Sequence, residues 1–127
     1  MHQHLLVVDD DDEVRAFLVC ALEESGYAVS AAPDGSFALQ LLREQDFDLI
    51  LVDFALPGMT GAELVEQIRE HRPRQKLLLI SGYAGTAALQ RAAGDVPIIA
   101  KPVAVNDLAA AVKAMLGDQA HWPAGAG

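Results

Sequence analysis

The sequence predicts an α/β domain, a doubly wound five-stranded parallel sheet with five helices, and three observations predict it. Short branched apolar runs, Leu5–Val8, Leu49–Val52 and Leu77–Ile80, read as strands buried on both faces. Segments with apolar residues at helical spacing stand between them, so strands and helices alternate and the crossovers are right-handed. Each strand then ends in turn-forming or charged residues. In a parallel sheet all carboxyl ends lie on one edge, where open α/β sheets build their sites.

At 127 residues the chain is long enough for one domain with a real core. Residues 1–117 are expected to form it, with 118–127 as a flexible C-terminal tail. A net charge of −9 argues against direct contact with nucleic acid, which needs clustered Lys and Arg. The lone cysteine, Cys20, excludes an internal disulfide and fits a reducing compartment. No apolar run reaches membrane-spanning length, and Met-His-Gln-His-Leu is no signal peptide. These features point to a cytoplasmic chain with no membrane association.

The first strand, Leu5–Val8, runs into Asp9, Asp10, Asp11, Asp12 and Glu13. A helix follows, with Val14, Phe17, Leu18, Ala21 and Leu22 on one face and Gly26 as its C′ residue. Asp12 is expected to cap this helix and Glu13 to suit its dipole, which leaves Asp9 and Asp10 at the strand end unexplained. Tyr27–Ala31 is a weaker second strand. After the Pro33-Asp34-Gly35 turn, Ala38, Leu41 and Leu42 mark a second helix that ends near Gln45. The third strand, Leu49–Val52, delivers Asp53 into a turn containing Pro57, Gly58 and Gly61. The third helix, from about Thr60 to His71, buries Leu64, Val65 and Ile68. Leu77–Ile80 leads to Ser81, and an Ala-rich fourth helix, Thr86 to Ala93, is expected to be the least stable. Val96–Ala100 is the fifth strand and leads to Lys101-Pro102. Asn106 is expected to cap a last helix with Leu108, Ala111, Val112, Met115 and Leu116 on its face and Gly117 at its end.

Four strands thus bring two acids (Asp9, Asp10), one acid (Asp53), a hydroxyl (Ser81) and a lysine (Lys101) to one edge. Three carboxylates so close repel one another and call for a cation. A hard divalent ion such as Mg²⁺ takes one or two carboxylates, waters and a phosphate oxygen. Lys101 and Ser81 would serve the same phosphate as a point charge and a donor. Metal, ammonium and hydroxyl around one carboxylate make a site for phosphoryl transfer to an Asp nucleophile.

Val7-Val8-Asp9-Asp10, Asp53 with Pro57-Gly58-Met59-Thr60-Gly61, Ile80-Ser81-Gly82 and Lys101-Pro102 together resemble the receiver domain of response regulators. The resemblance runs from about Leu5 to Leu116. It implies a flavodoxin-like strand order, 2-1-3-4-5, and phosphorylation of Asp53 by a histidine kinase or histidine phosphotransfer protein. Intrinsic self-phosphorylation and dephosphorylation go with it. Asp10, Asp53 and the backbone carbonyl of Ala55 would hold Mg²⁺ (or Mn²⁺), with Asp9 acting mainly through water. Ser81 and Lys101 would read the phosphoryl group, and the Lys101-Pro102 peptide would be cis. Such a receiver stands alone or belongs to a hybrid kinase, and a weak dimer is left open.

The chain departs from the family at Ile98, where Tyr or Phe is usual, and at Val103, which is often Phe. Tyr83 is the nearby aromatic that could substitute as a switch, form a lid over the site, or simply pack. Two other readings stand beside the receiver. One is a haloacid-dehalogenase-like phosphatase, for which Glu13 stands where Thr or Val is usual and a cap domain has no room. The other is a binding-only adaptor that keeps the acids without being phosphorylated.

Overall fold

The structure, a computed structural model, describes residues 3–82, 90–91 and 93–117. Five parallel strands form the sheet: β1 (His4–Val8), β2 (Ala28–Ala32), β3 (Leu49–Asp53), β4 (Leu77–Ser81) and β5 (Ile98–Ala100), in the order β2-β1-β3-β4-β5. Four helices lie among the described residues: α1 (Asp12–Glu24), α2 (Gly35–Glu44), α3 (Gly61–His71) and α4 (Val105–Leu116). Most of the expected Thr86–Ala93 helix lies outside the described residues, and its end is helical at Gln90, Arg91 and Ala93. Tyr83 and the expected tail, 118–127, also lie outside them.

The core is two layers because alternate residues of a strand face opposite sides. Leu6, Val8, Ile50, Val52, Leu77 and Leu79 pack with α2 and α3 through Ala38, Leu42, Leu64 and Ile68. Leu5, Val7, Leu49, Leu51, Leu78 and Ile80 pack with α1 and α4 through Leu18, Leu22, Leu108 and Val112. The three central strands are buried, His4 at the start of β1 alone being half-buried, as their unbroken apolar runs require. β2 and β5 are the edges and are only partly covered. β5 starts later than Val96 because Val96 donates to the Ala93 carbonyl in a turn, and Pro97 has no N–H for a ladder. β2 sits one residue later than expected, with Tyr27 ahead of it.

Three local expectations need correction. Asp11, not Asp12, caps α1: its Oδ1 accepts the Glu13 and Val14 N–H groups at 2.9 and 3.1 Å. Every acid in that run is competent to cap, and the length of the loop carrying Asp9 and Asp10 decides which one does. Asn106 caps nothing: α4 begins at Val105 behind Ala104, with no side-chain cap bond. Phe17 is 41% exposed, because the apolar face of α1 is narrow enough to be filled by Leu18, Ala21 and Leu22. Asp11→Ala is expected to cost about 1 kcal/mol, the worth of a cap. Asp12→Ala should cost less in the same denaturant titration, and a larger loss at Asp12 would reverse the assignment.

Candidate functional site

The sheet delivers its functional side chains as parallel strands must, all at one edge. Asp53 and Ser81 are the last residues of β3 and β4, Asp9 follows β1, and Lys101 follows β5. Backbone bonds tie these ends together: Phe54 N–H donates to the Ile80 carbonyl and Lys101 N–H to the Ser81 carbonyl, both at 2.9 Å. The Lys101-Pro102 peptide is cis. Asp9, Asp53 and Ser81 are buried at 0, 5 and 2% exposure, whereas Asp10 is exposed.

Lys101 Nζ bridges the two buried acids, 3.3 Å from Asp53 Oδ2 and 3.4 Å from Asp9 Oδ2. The other oxygens take backbone donors, Asp53 Oδ1 from Ala55 N–H at 3.3 Å and Asp9 Oδ1 from Asp11 N–H at 2.9 Å. Burial pushes the Asp53 carboxyl above its ordinary value and the Asp9 charge adds to this, while Lys101 and the Ala55 N–H pull the other way. Burial works to lower Lys101, but Asp53 and Asp9 outweigh it and hold the ammonium above its ordinary value. The shift at Lys101 favours its charged form, whereas at Asp53 burial and the Asp9 charge outweigh the attraction of the ammonium and the net shift favours the neutral form.

Asp9, Asp10 and Asp53 each offer a carboxylate oxygen within 4.8 Å of the others. Against the single ammonium of Lys101, three carboxylates leave two negative charges in excess. Asp9 Oδ2 is buried without a hydrogen bond and faces the Lys101 ammonium only at 3.4 Å, which leaves it acceptor capacity for a further cation. An all-oxygen set with two excess charges and an orphaned carboxylate oxygen fits a hard divalent cation.

The loop after Asp53 is built by close approach. A short antiparallel ladder pairs Ala55–Leu56 with Met59–Thr60, and Gly58 turns it at φ +81° behind Pro57. Thr60 then starts α3 with a capping box: its hydroxyl accepts from Glu63 N–H, and the Glu63 carboxylate accepts from Thr60 N–H. Gly61 N–H donates to the Phe54 carbonyl at 2.6 Å, and a Cβ on Gly61 would lie 2.6 Å from the Asp53 carbonyl oxygen and 2.7 Å from Phe54 Cα. Only glycine lets the start of α3 press on the loop after Asp53 this closely. Gly61→Ala should therefore cost about 1–3 kcal/mol. Gly35→Ala is the comparison: its Cβ would meet the Met59 sulfur at 2.7 Å, the mobile end of a side chain that can yield. Equal losses in the two variants would show that backbone crowding at Gly61 does not decide the matter.

All five named side chains, Asp9, Asp10, Asp53, Ser81 and Lys101, thus occur at the strand ends expected of them. Ala55 is adjacent through its N–H. Ile98 sits in β5 opposite Leu79 and packs, half-buried, on the core of the α2–α3 face. Tyr83 falls outside the described residues. The residue that sequence reasoning passed over is Arg15, which reaches back into the Asp9 loop. Its signal was a cation in the first turn of a helix, where the dipole disfavours one.

The sequence pattern of the response regulator receiver domain matches residues 5–113. The response regulator receiver protein CpdR of Brucella abortus (strain 2308) is 35% identical over 116 residues, covering 90% of this chain and 97% of that one. Sensor kinase CckA of the same organism is 34% identical over 119 residues, 91% of this chain but 13% of the kinase. The crystal structure of response regulator TrrA from Thermotoga maritima, in complex with Mg²⁺-BeF, superposes with a TM-score of 0.79 at 29% identity, covering 89% of this chain and 98% of that one. Neither the phosphatase nor the adaptor reading is favoured by these relatives. The chain belongs to the response regulator receiver domains, and its function is that of a phosphoacceptor receiver in two-component signalling.

Proposed function

We propose that Asp53 is the phosphoacceptor and that it takes the phosphoryl group from a phosphohistidine of a histidine kinase or histidine phosphotransfer protein. The observation that carries this is the convergence of Lys101 Nζ on Asp53 Oδ2 and Asp9 Oδ2 at a four-strand edge. In the transfer an Asp53 carboxylate oxygen forms the new O–P bond as the imidazole N–P bond breaks, and the pair from that bond stays on the imidazole. Burial strips Asp53 of hydration and makes it more basic, which favours it as nucleophile. Lys101 lies where its charge can follow a phosphoryl oxygen once the acids are neutralised, and Ser81, at the end of β4, is the hydroxyl assigned to another. Asp10, Asp53 and the Ala55 carbonyl would hold Mg²⁺ (or Mn²⁺), with Asp9 completing the set, mainly through water. When bound, the ion supplies charge for the phosphoryl oxygens and relieves the carboxylates' repulsion. TrrA in complex with Mg²⁺-BeF supports the choice of metal.

On this reading the chain works in the cytoplasm, does not touch nucleic acid directly, and has some intrinsic self-phosphorylation and dephosphorylation. None of the described helices is long and apolar enough to cross a membrane. Ile98 cannot reorient as a ring would, so the response to phosphorylation runs through Ser81 and the segment after it, with Tyr83 as the aromatic in that segment.

Acetyl phosphate with Mg²⁺ is expected to add one phosphoryl group to the native chain. Borohydride reduction and peptide mapping should place it on Asp53, and a chelator should suppress it. A phosphoryl group mapped to another residue, or uptake indifferent to chelation, would remove the assignment.

A further inference from the structure

Arg15 occupies the first turn of α1, against the preference of the helix dipole, so something local must compensate. Its Nη1 donates to the Asp9 carbonyl at 2.7 Å and its Nη2 to Asp12 Oδ1 at 2.5 Å. Asp9 is thereby held at every polar group but one. Its N–H donates to the Ala32 carbonyl at 3.1 Å, its Oδ1 accepts from Asp11 N–H at 2.9 Å, and its own carbonyl accepts from Arg15. The remaining atom, Oδ2, has no hydrogen bond and faces Lys101 at 3.4 Å, inside the cluster with Asp10 and Asp53.

We propose that Arg15 is a positioning residue for the cation site, clamping the β1–α1 loop by the Asp9 carbonyl so that Asp9 and Asp10 converge on Asp53. The proposal rests on the Mg²⁺-dependent phosphoacceptor reading above. A guanidinium suits the task because its planar fork holds two acceptors at once in fixed geometry, which an ammonium cannot do. Supporting groups of this kind set metal affinity because the ligands' entropy of alignment is lost before the ion arrives.

The two effects that Arg15 could have on a cation have opposite signs. As a positive charge near the acids it repels Mg²⁺, so its removal would tighten binding. As a clamp it aligns the ligands, so its removal weakens binding. Calorimetric titration with Mg²⁺, alongside unfolding of each chain without metal, separates them. Arg15→Ala is expected to weaken Mg²⁺ binding about 10-fold, and half-maximal phosphorylation by acetyl phosphate should need correspondingly more Mg²⁺ while the saturating rate holds. Arg15→Lys, which keeps the charge but not the fork, should also bind more weakly than the native chain, and it carries the test if the alanine variant does not fold. Asp12→Asn, which keeps the carbonyl clamp, should bind as the native chain does. Unchanged or tighter binding in Arg15→Ala, or an equal loss in Asp12→Asn, overturns the role of Arg15 alone. A native chain that binds no Mg²⁺ overturns the phosphoacceptor reading as well.

Discussion

An Asp53→Asn chain is expected to take up no phosphoryl group from acetyl phosphate and, without metal, to be more stable than the native chain at neutral pH. The first half follows from chemistry, since an amide has no carboxylate oxygen to form the acyl phosphate. The second follows from the electrostatics of the strand edge. Burial, and then Asp9, push the Asp53 carboxyl above its ordinary value in spite of Lys101 and the Ala55 N–H. A carboxyl raised in this way favours folding only while protonated. That contribution is complete below the unfolded value, about 3.9, and is lost as pH rises through the folded value. At neutral pH the native chain therefore bears a penalty that the amide escapes, and Lys101 keeps Asp9 as a partner in the variant. A gain on the order of 1 kcal/mol is expected, the size common when a functional site is made neutral. It should vanish as pH falls toward about 4. Intact mass and urea unfolding at two pH values check both halves. Phosphoryl mass on the variant, or lower stability at neutral pH, would contradict them.

Lys101→Met should move stability the other way and further. It leaves the buried carboxylates of Asp9 and Asp53 without the cation that bridges them at 3.4 and 3.3 Å. Removing one partner of a buried pair costs about 3–5 kcal/mol. The Lys101 side chain is 26% exposed, so the low end, about 3 kcal/mol, is expected here. In the native chain the acids raise Lys101 despite its burial, so its stabilising contribution is fully present below the unfolded lysine value of about 10.4 and fades only above it. In the variant Asp53 is raised further. The deficit should therefore be greatest near neutral pH and shrink on acidification as Asp53 takes a proton. Saturating Mg²⁺ should recover part of it through binding to the folded state alone. An unfolding midpoint unchanged at neutral pH would mean that water, not Lys101, balances these acids.

Opposite signs at Asp53 and Lys101 describe a site that is short of positive charge before any partner arrives. The ionised Asp53 carboxylate is expected to cost stability, and Lys101 to compensate for only part of that cost. This is the usual trade of stability for function at a site where charge must be ready for a ligand.

Much of this was legible in the sequence. Unbroken apolar runs at Leu5–Val8, Leu49–Val52 and Leu77–Ile80 could satisfy themselves only as central parallel strands, and Asp9, Asp53 and Ser81 at their ends could then fall only on one edge. The run of five acids was less informative. Asp11 and Asp12 have the same chemistry and adjacent positions, and choosing the cap depended on where the loop that carries Asp9 delivered the chain. Asn106 failed as a cap because α4 takes its start from the chain beyond Pro102 and its register from Leu108, Val112 and Leu116, not from the nearest capping residue.

The sequence by itself determined the parallel sheet and which side chains share its edge, because burial periodicity and the geometry of parallel crossovers are local and topological constraints. The strand order was implied only by the resemblance to receiver domains. Tertiary structure alone decided the distances: Lys101 Nζ between two carboxylates, Gly61 against the Asp53 carbonyl, and Arg15 folded back onto Asp9. Each of these joins segments whose separation along the chain sets no preferred approach. Only the packed sheet, with its strand ends pinned by backbone hydrogen bonds, fixes them to within the ångström that charge and crowding can feel.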